Sequence, residues 1–286
     1  MRGPLISVDE LTALRAVRAV VIVDCRFDLA APNAGEAAYL RGHLPGAVYA
    51  HLERDLSGPP VTDHGRHPLP SATRLCAVFG ALGIHPRVPV VAYDDMGGGL
   101  AAARLWWLLR YMGHPSMAVL DGGWQAWLAW QAACGVAAGA EESGSRVAAQ
   151  ATYVGLPRLD RRLLLDELEP QMALLDARDP ARFRGESEPI DPRAGHIPGA
   201  HNHFWRQNLT EDGSFRSPVE LRKAFAASLG TLPDGATVHY CGSGVSACHN
   251  VLAQVLAGLP EPRLYCGSWS EWCREPTRPA ALGTEA

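Results

Sequence analysis

Cys241 opens the run Cys241-Gly242-Ser243-Gly244-Val245-Ser246-Ala247, which follows the apolar stretch Val238-His239-Tyr240. The pattern predicts a short buried strand, a cysteine at its end, a tight loop of small residues, and then the start of a helix. Two glycines let such a loop curl with its backbone N–H groups pointing inward, a nest that stabilises an anion. The helix that follows adds the positive end of its dipole. A cysteine at the mouth of this loop is expected to react as a thiolate nucleophile. The competing reading, a small buried core cysteine ahead of a helix, is judged by the rest of the chain.

The elements that must hold this loop belong to an ordinary globular protein. The chain has 286 residues, 47% hydrophobic and 20% charged, with a formal net charge of −4. That length suits two domains, and the mild negative charge gives no footing for nucleic acid or an anionic membrane. No run of about 20 apolar residues exists, and the first residues lack a signal-type apolar stretch. The seven cysteines are scattered, without a Cys-x-x-Cys pair. Neither a zinc site nor a thioredoxin-type motif is supported, and a reducing, cytoplasmic setting is expected.

The two halves of the chain repeat one another. Val21-Ile22-Val23-Asp24-Cys25-Arg26 is answered by Leu174-Leu175-Asp176-Ala177-Arg178, and Gly42-His43-Leu44-Pro45-Gly46-Ala47 by Gly195-His196-Ile197-Pro198-Gly199-Ala200. Val90-Val91-Ala92-Tyr93-Asp94 corresponds to Thr237-Val238-His239-Tyr240-Cys241, and Asp121-Gly122-Gly123-Trp124 to Cys266-Gly267-Ser268-Trp269. Four anchors in the same order, at nearly constant spacing, mean a duplicated domain. Apolar strands alternating with helical stretches such as Ala101–Arg110 and Pro218–Leu229 predict α/β domains, each a parallel sheet with helices on both faces. Ligands then sit beyond the carboxyl ends of the strands, where the loop after Tyr240 falls. The expected division is a first domain over 1–134, a linker rich in Ala, Gly, Ser and Glu over 135–155, and a second domain over 156–286. The tryptophans read as packing residues.

With these motifs in place, the chain resembles the rhodanese-like sulfurtransferases over nearly its whole length. The Cys-Gly-Ser-Gly-Val form of the loop is the one seen in the mercaptopyruvate branch, and the His-Ile-Pro-Gly-Ala and Gly-Ser-Trp-Ser-Glu-Trp elements stand at 196–200 and 267–272. The resemblance implies two tandem rhodanese-like domains. In the first, Asp94 occupies the cysteine's place; a carboxylate cannot carry sulfur, so that half is expected to be silent and to close a wall of the cleft facing Cys241.

What the resemblance implies for the site is specific. Ser243, His67 and Asp55 match a triad that handles protons: the aspartate fixes the imidazole tautomer and the histidine polarises the serine hydroxyl. His64, three residues from His67, is the rival histidine. Arg182, in Ala181-Arg182-Phe183-Arg184-Gly185, matches an arginine that grips the donor's anionic group. The family's second arginine would fall at Asp191, and Arg193 is the residue expected to substitute for it. The backbone of Gly242, Ser243, Gly244, Val245, Ser246 and Ala247 is expected to cradle the donor and the persulfide.

The implied reaction moves a sulfane sulfur from a small-molecule donor such as 3-mercaptopyruvate, through a Cys241 persulfide, to cyanide or a thiol acceptor such as reduced thioredoxin. No metal or organic cofactor enters such chemistry. Thiosulfate is the alternative donor; neutral Gly242 and Ser243 argue against it, because the thiosulfate branch has cationic side chains there. A phosphatase would need an arginine six residues after Cys241, and Ala247 stands there. A silent rhodanese-like binding module is the reading outside enzymology, and the intact cysteine loop argues against it.

Overall fold

A computed structural model of the protein describes residues 3–61, 64–135, 142–230 and 237–284. The chain forms two compact units, one comprising Met1–Gly58, Pro70–Arg158 and Thr210–Phe215, the other Pro59–Leu69, Leu159–Leu209 and Arg216–Ala286. Two short segments thus belong to the unit opposite to the one their place in the sequence suggests.

The first unit is built on strands β1 (Leu5–Ile6), β2 (Val21–Asp24), β3 (Ala47–Tyr49), β4 (Val90–Tyr93) and β5 (Met117–Leu120) and helices α1 (Val8–Val17), α2 (Ala34–Arg41), α3 (Ala72–Ala81), α4 (Ala101–Tyr111) and α5 (Gly123–Ala133). The strands pair in the order β1-β5-β4-β2-β3, all in parallel. The absence of alternation in Val90-Val91-Ala92-Tyr93 follows from burial on both sides, for all four are buried. Ile22, Val91, Tyr93, Ala118 and Leu120 form a core with Trp127 of α5 and Leu11 of α1, while α4 packs against β4 and β5. Ser7 and Glu10 form a capping box that starts α1.

Of the stretch 135–155 expected to be a linker, residues 136–141 lie outside those described. The part from 142 on runs along the first unit. Gly144 donates to the Leu40 carbonyl at 2.9 Å and Ala151 to that of Gly80 at 3.0 Å, and Tyr153 meets the ring of Phe79 edge-on.

The second unit repeats the plan with β6 (Arg162–Leu163), β7 (Leu174–Asp176), β8 (Ala200–Asn202), β9 (Val238–Tyr240) and β10 (Arg263–Tyr265), and α6 (Pro180–Phe183), α7 (Pro218–Leu229), α8 (Ala247–Leu256) and α9 (Ser268–Trp272). The order β6-β10-β9-β7-β8 is that of the first unit, and the alignment of the two halves is matched atom by atom. Arg26 closes on Asp24 and Arg178 on Asp176 with the same contacts, the shortest being 2.6 Å in each. Each arginine also donates to the glycine carbonyl of the Gly-His element, Gly42 at 2.6 Å and Gly195 at 2.7 Å. His43 and His196 turn Nδ1 to the carbonyls of Tyr39 and Phe183. Stranding one partner of such a buried pair costs about 3–5 kcal/mol, so these motifs hold strands and turns together. Trp269, wholly buried, packs beneath Arg178, whose guanidinium lies 4.9 Å from the ring.

Candidate functional site

β9 is the central strand of the second unit, and the chain leaves the sheet at Cys241. The loop is pinned to the segment that starts α9. Cys241 donates its N–H to Ser268 Oγ at 3.2 Å, and its carbonyl accepts from Trp269 N–H at 3.0 Å. The Gly242 carbonyl accepts from Ser270 N–H at 2.8 Å. Ser268 is the one non-glycine residue with positive φ, at 56°, among those described. Its hydroxyl also reaches the Tyr265 carbonyl at 3.0 Å, so this costly backbone conformation places a side chain directly under the Cys241 amide. Gly244 turns at φ 74°, and a Cβ there would stand 2.5 Å from the Cys266 carbonyl oxygen; only glycine fits. α8 then begins at Ala247, the last residue of the loop. Cys241 as a whole is buried, 2% exposed.

A second wall comes from 64–67, part of the segment Pro59–Leu69 that belongs to this unit. His67 Nδ1 and Ser243 Oγ are 2.7 Å apart, and both residues are buried. Arg66 N–H donates to Ser270 Oγ at 3.0 Å. His64 turns away, its Nδ1 3.2 Å from Glu271 Oε1. Gly65 approaches so closely that an added Cβ would lie 2.3 Å from the Gly267 carbonyl oxygen. His64, Arg66 and His67 thus rest on Glu271, Ser270 and Ser243. Of the two histidines named from the sequence, His67 is the one that reaches the loop. Asp55 belongs to the first unit, where its carboxylate accepts the His51 N–H at 2.7 Å and lies 3.5 Å from Arg54 Nε.

The cations are held by carboxylates. Arg182 sits on the short helix α6, which Asp179 caps through the Ala181 N–H. Its Nη2 bonds Glu188 at 2.7 Å and Asp191 at 3.1 Å, and its Nε bonds Glu188 at 3.2 Å. The Asp191 carboxylate also pairs with Arg66 Nη1. Burial pushes the Asp191 carboxyl above its ordinary range, against the pull of Arg66. Burial also acts to raise Glu188, but its hydrogen bonds from Arg182 and from the Asp191 N–H outweigh that and hold it low. Arg193 gives its carbonyl to Trp269 Nε1–H at 2.9 Å, and its buried Nη1 has no hydrogen-bond partner among the described residues.

A doubled parallel α/β sheet, with a cysteine at the end of one central strand in a small-residue loop, defines a class of thiol-based group-transfer protein. Two stretches, residues 7–129 and 161–275, match the rhodanese-like domain model, and the chain belongs to that family, as a two-domain sulfurtransferase. It is 46% identical to a protein of Pseudomonas aeruginosa named a probable 3-mercaptopyruvate sulfurtransferase, over 98% of both chains. It is 42% identical to a putative thiosulfate sulfurtransferase of Mycobacterium tuberculosis, over 98% of this chain and 97% of that one. Among solved structures it resembles the 3-mercaptopyruvate sulfurtransferase of Leishmania major, with a TM-score of 0.84 and 32% identity, covering 97% of this chain and 75% of the other.

Sequence reasoning identified Asp191 only as the place of a missing arginine and left Arg66 and Glu188 unmarked. A signal for Arg66 was present: it adjoins His67, and a loop without cationic side chains must draw its positive charge from elsewhere.

Proposed function

We propose that the protein takes the sulfur of 3-mercaptopyruvate onto Cys241 and passes it to cyanide or a thiol acceptor such as thioredoxin. The observation that carries the donor is the buried Ser243–His67 hydrogen bond within a loop whose own side chains are uncharged. The Cys241 thiolate attacks the donor sulfur; the carbon–sulfur bond breaks and its electron pair leaves on the enolate of pyruvate. That enolate needs one proton. Ser243 delivers it, and His67 Nδ1 replaces it, with Asp55 proposed to fix the imidazole tautomer. Sulfite, the leaving group from thiosulfate, needs no proton, and a buried Ser–His pair would then serve no purpose.

Arg182, with Arg193 as a further cation, meets the donor's carboxylate. The loop N–H groups from Gly242 and Ser243 through Gly244, Val245 and Ser246 to Ala247 hold the persulfide. In the second half-reaction the acceptor attacks the outer sulfur and Cys241 leaves as thiolate, closing a ping-pong cycle. Residues 1–134 are read as the silent domain, 135–155 as the linker and 156–286 as the catalytic domain.

Thiosulfate is the second reading, favoured by the guanidinium groups of Arg66 and Arg182 beside Gly242. A cytoplasmic location is proposed from the seven cysteines, all free thiols. No helix among the described residues is long and apolar enough to cross a membrane.

Steady-state kinetics with both donors side by side decide between the two readings. Intact mass after donor treatment should show one added sulfur, absent in Cys241→Ser. Retention of that mass in the variant would overturn the carrier assignment, and a wild-type preference for thiosulfate would overturn the donor.

A further inference from the structure

Ser270, the third residue of α9, is buried and bonds to both segments that carry the Ser243–His67 pair. Its N–H donates to the Gly242 carbonyl at 2.8 Å, one residue before Ser243. Its Oγ accepts the Arg66 N–H at 3.0 Å, one residue before His67. The hydroxyl hydrogen has an acceptor of its own, the Gly267 carbonyl at 3.3 Å, which leaves the oxygen's lone pairs to the Arg66 amide. Gly65 makes the approach possible, for a Cβ there would stand 2.9 Å from Ser270 Oγ. The Ser243 hydroxyl and the His67 imidazole, 176 residues apart in the chain, are thus each one peptide unit from the same residue. The duplicated domain separates what the fold needs from what the site needs. Trp124 and Trp269 give their N–H groups to the Asp94 and Cys241 carbonyls alike, so that bond belongs to the fold. The residue after Trp269 is Ser270, whereas the residue after Trp124 is Gln125, exposed on α5.

We infer that Ser270 is a positioning residue: its hydroxyl sets His67 Nδ1 against Ser243 Oγ and so aligns the proton that Ser243 delivers to the leaving enolate. The inference rests on the reading of Ser243 and His67 as a proton relay and deepens it by naming what holds the two side chains 2.7 Å apart. Proton transfer between groups on two separate segments is sensitive to small displacements of either one. Without the Ser270 hydroxyl the Arg66 amide loses its acceptor, and the segment bearing His67 can shift against the loop. The bond to Gly242 is made by the backbone of Ser270 and survives the change, so the Cys241 loop keeps its shape.

The test is a double-mutant cycle on the loading of Cys241, followed in a single turnover. Ser270→Ala should slow loading from 3-mercaptopyruvate about 5- to 30-fold, in the rate constant more than in KM, and leave loading from thiosulfate within about twofold. Added to Ser243→Ala, the same change should cost less than about twofold more, because the pair it aligns is already gone. Ser270→Cys, close in shape but a poor acceptor, should show the same split between donors and serves if the alanine protein does not fold. Equal slowing with both donors, or losses that multiply in the double variant, would show that Ser270 shapes the Cys241 loop; unchanged loading would show that it aligns nothing. Each of these results overturns the assignment. Ser243→Ala by itself tells this failure from that of the relay. If it slows both donors alike, the relay falls and the role of Ser270 with it. If it slows 3-mercaptopyruvate alone while Ser270→Ala slows both donors or neither, the relay stands and Ser270 is not what aligns it.

Discussion

Asp94 holds in the first unit the place that Cys241 holds in the second. Each follows the central strand of its sheet and gives its carbonyl oxygen to a tryptophan N–H, from Trp124 at 2.9 Å and from Trp269 at 3.0 Å. The chemistry diverges at the side chain. The Asp94 carboxylate accepts N–H groups from Met96 at 2.9 Å and Gly98 at 2.7 Å, with longer contacts to Leu100 and Ala102. The loop that would cradle a persulfide is filled by a carboxylate of its own chain.

Asp94→Asn should therefore leave the persulfide yield unchanged. It should also alter how stability depends on pH. Burial pushes the Asp94 carboxyl up to about 6, over the opposing N–H groups of Met96 and Gly98. Between about pH 4 and 6 the native state keeps a proton that the unfolded chain has released, so this group makes stability fall as pH rises, by roughly 3 kcal/mol across the window. Urea unfolding of wild type and variant at pH 4 and pH 7 should show a shallower decline in the variant. Parallel declines would show that Asp94 is not the group responsible.

Removing the proposed proton relay should separate the donors. Ser243→Ala and His67→Gln are each expected to slow turnover with 3-mercaptopyruvate about 100-fold. Thiosulfate turnover should barely change, because sulfite departs unprotonated. An equal loss with both donors would show that the 2.7 Å Ser243–His67 contact serves to hold the loop, not to move protons.

On the proposed function Arg182 carries two duties. Arg182→Ala should lower kcat/KM for 3-mercaptopyruvate about 10- to 100-fold, and Arg182→Lys should regain little of it. The same change takes from Glu188 the closer of its two guanidinium partners, one that helps hold it in its ionised form, so the variant should also be less stable at neutral pH. That stability defect should shrink on acidification, as Glu188 takes up a proton. Donor kinetics and melting curves between pH 4 and 8 check both parts.

The two loop glycines should answer differently to alanine. Gly244 has φ 74° and no room beneath the Cys266 carbonyl oxygen, so Gly244→Ala should disrupt the loop, costing about 1–3 kcal/mol of stability and most of the persulfide yield. Gly242 meets only the ends of arginine side chains, which can swing aside. Gly242→Ala should fold normally and raise KM for the donor. Similar stability losses in the two variants would contradict this distinction.

Much of the fold was legible because duplication writes each structural rule twice. Asp24 with Arg26 and Asp176 with Arg178, the paired Gly-His turns and the paired strand ends stood out as repeated text, and each pair carries the same bonds in both units. The linker was harder to delimit. Its composition suggests a free connection, yet composition is blind to backbone hydrogen bonds such as those of Gly144 and Ala151, which tie this stretch to the first unit.

The sequence by itself determined the repeat, the parallel α/β plan, the identity of the sulfur carrier's loop and the replacement of its counterpart by Asp94. Each of these is written in short runs of consecutive residues, where local spacing dictates local geometry. Only the tertiary structure decided which side chains surround the loop. Ser243 and His67 are 176 residues apart in the chain and Arg66 and Asp191 are 125 apart. Such pairs are set by the packing of Pro59–Leu69 into the second unit, and a folded chain alone specifies contacts at that separation, because no local propensity encodes them.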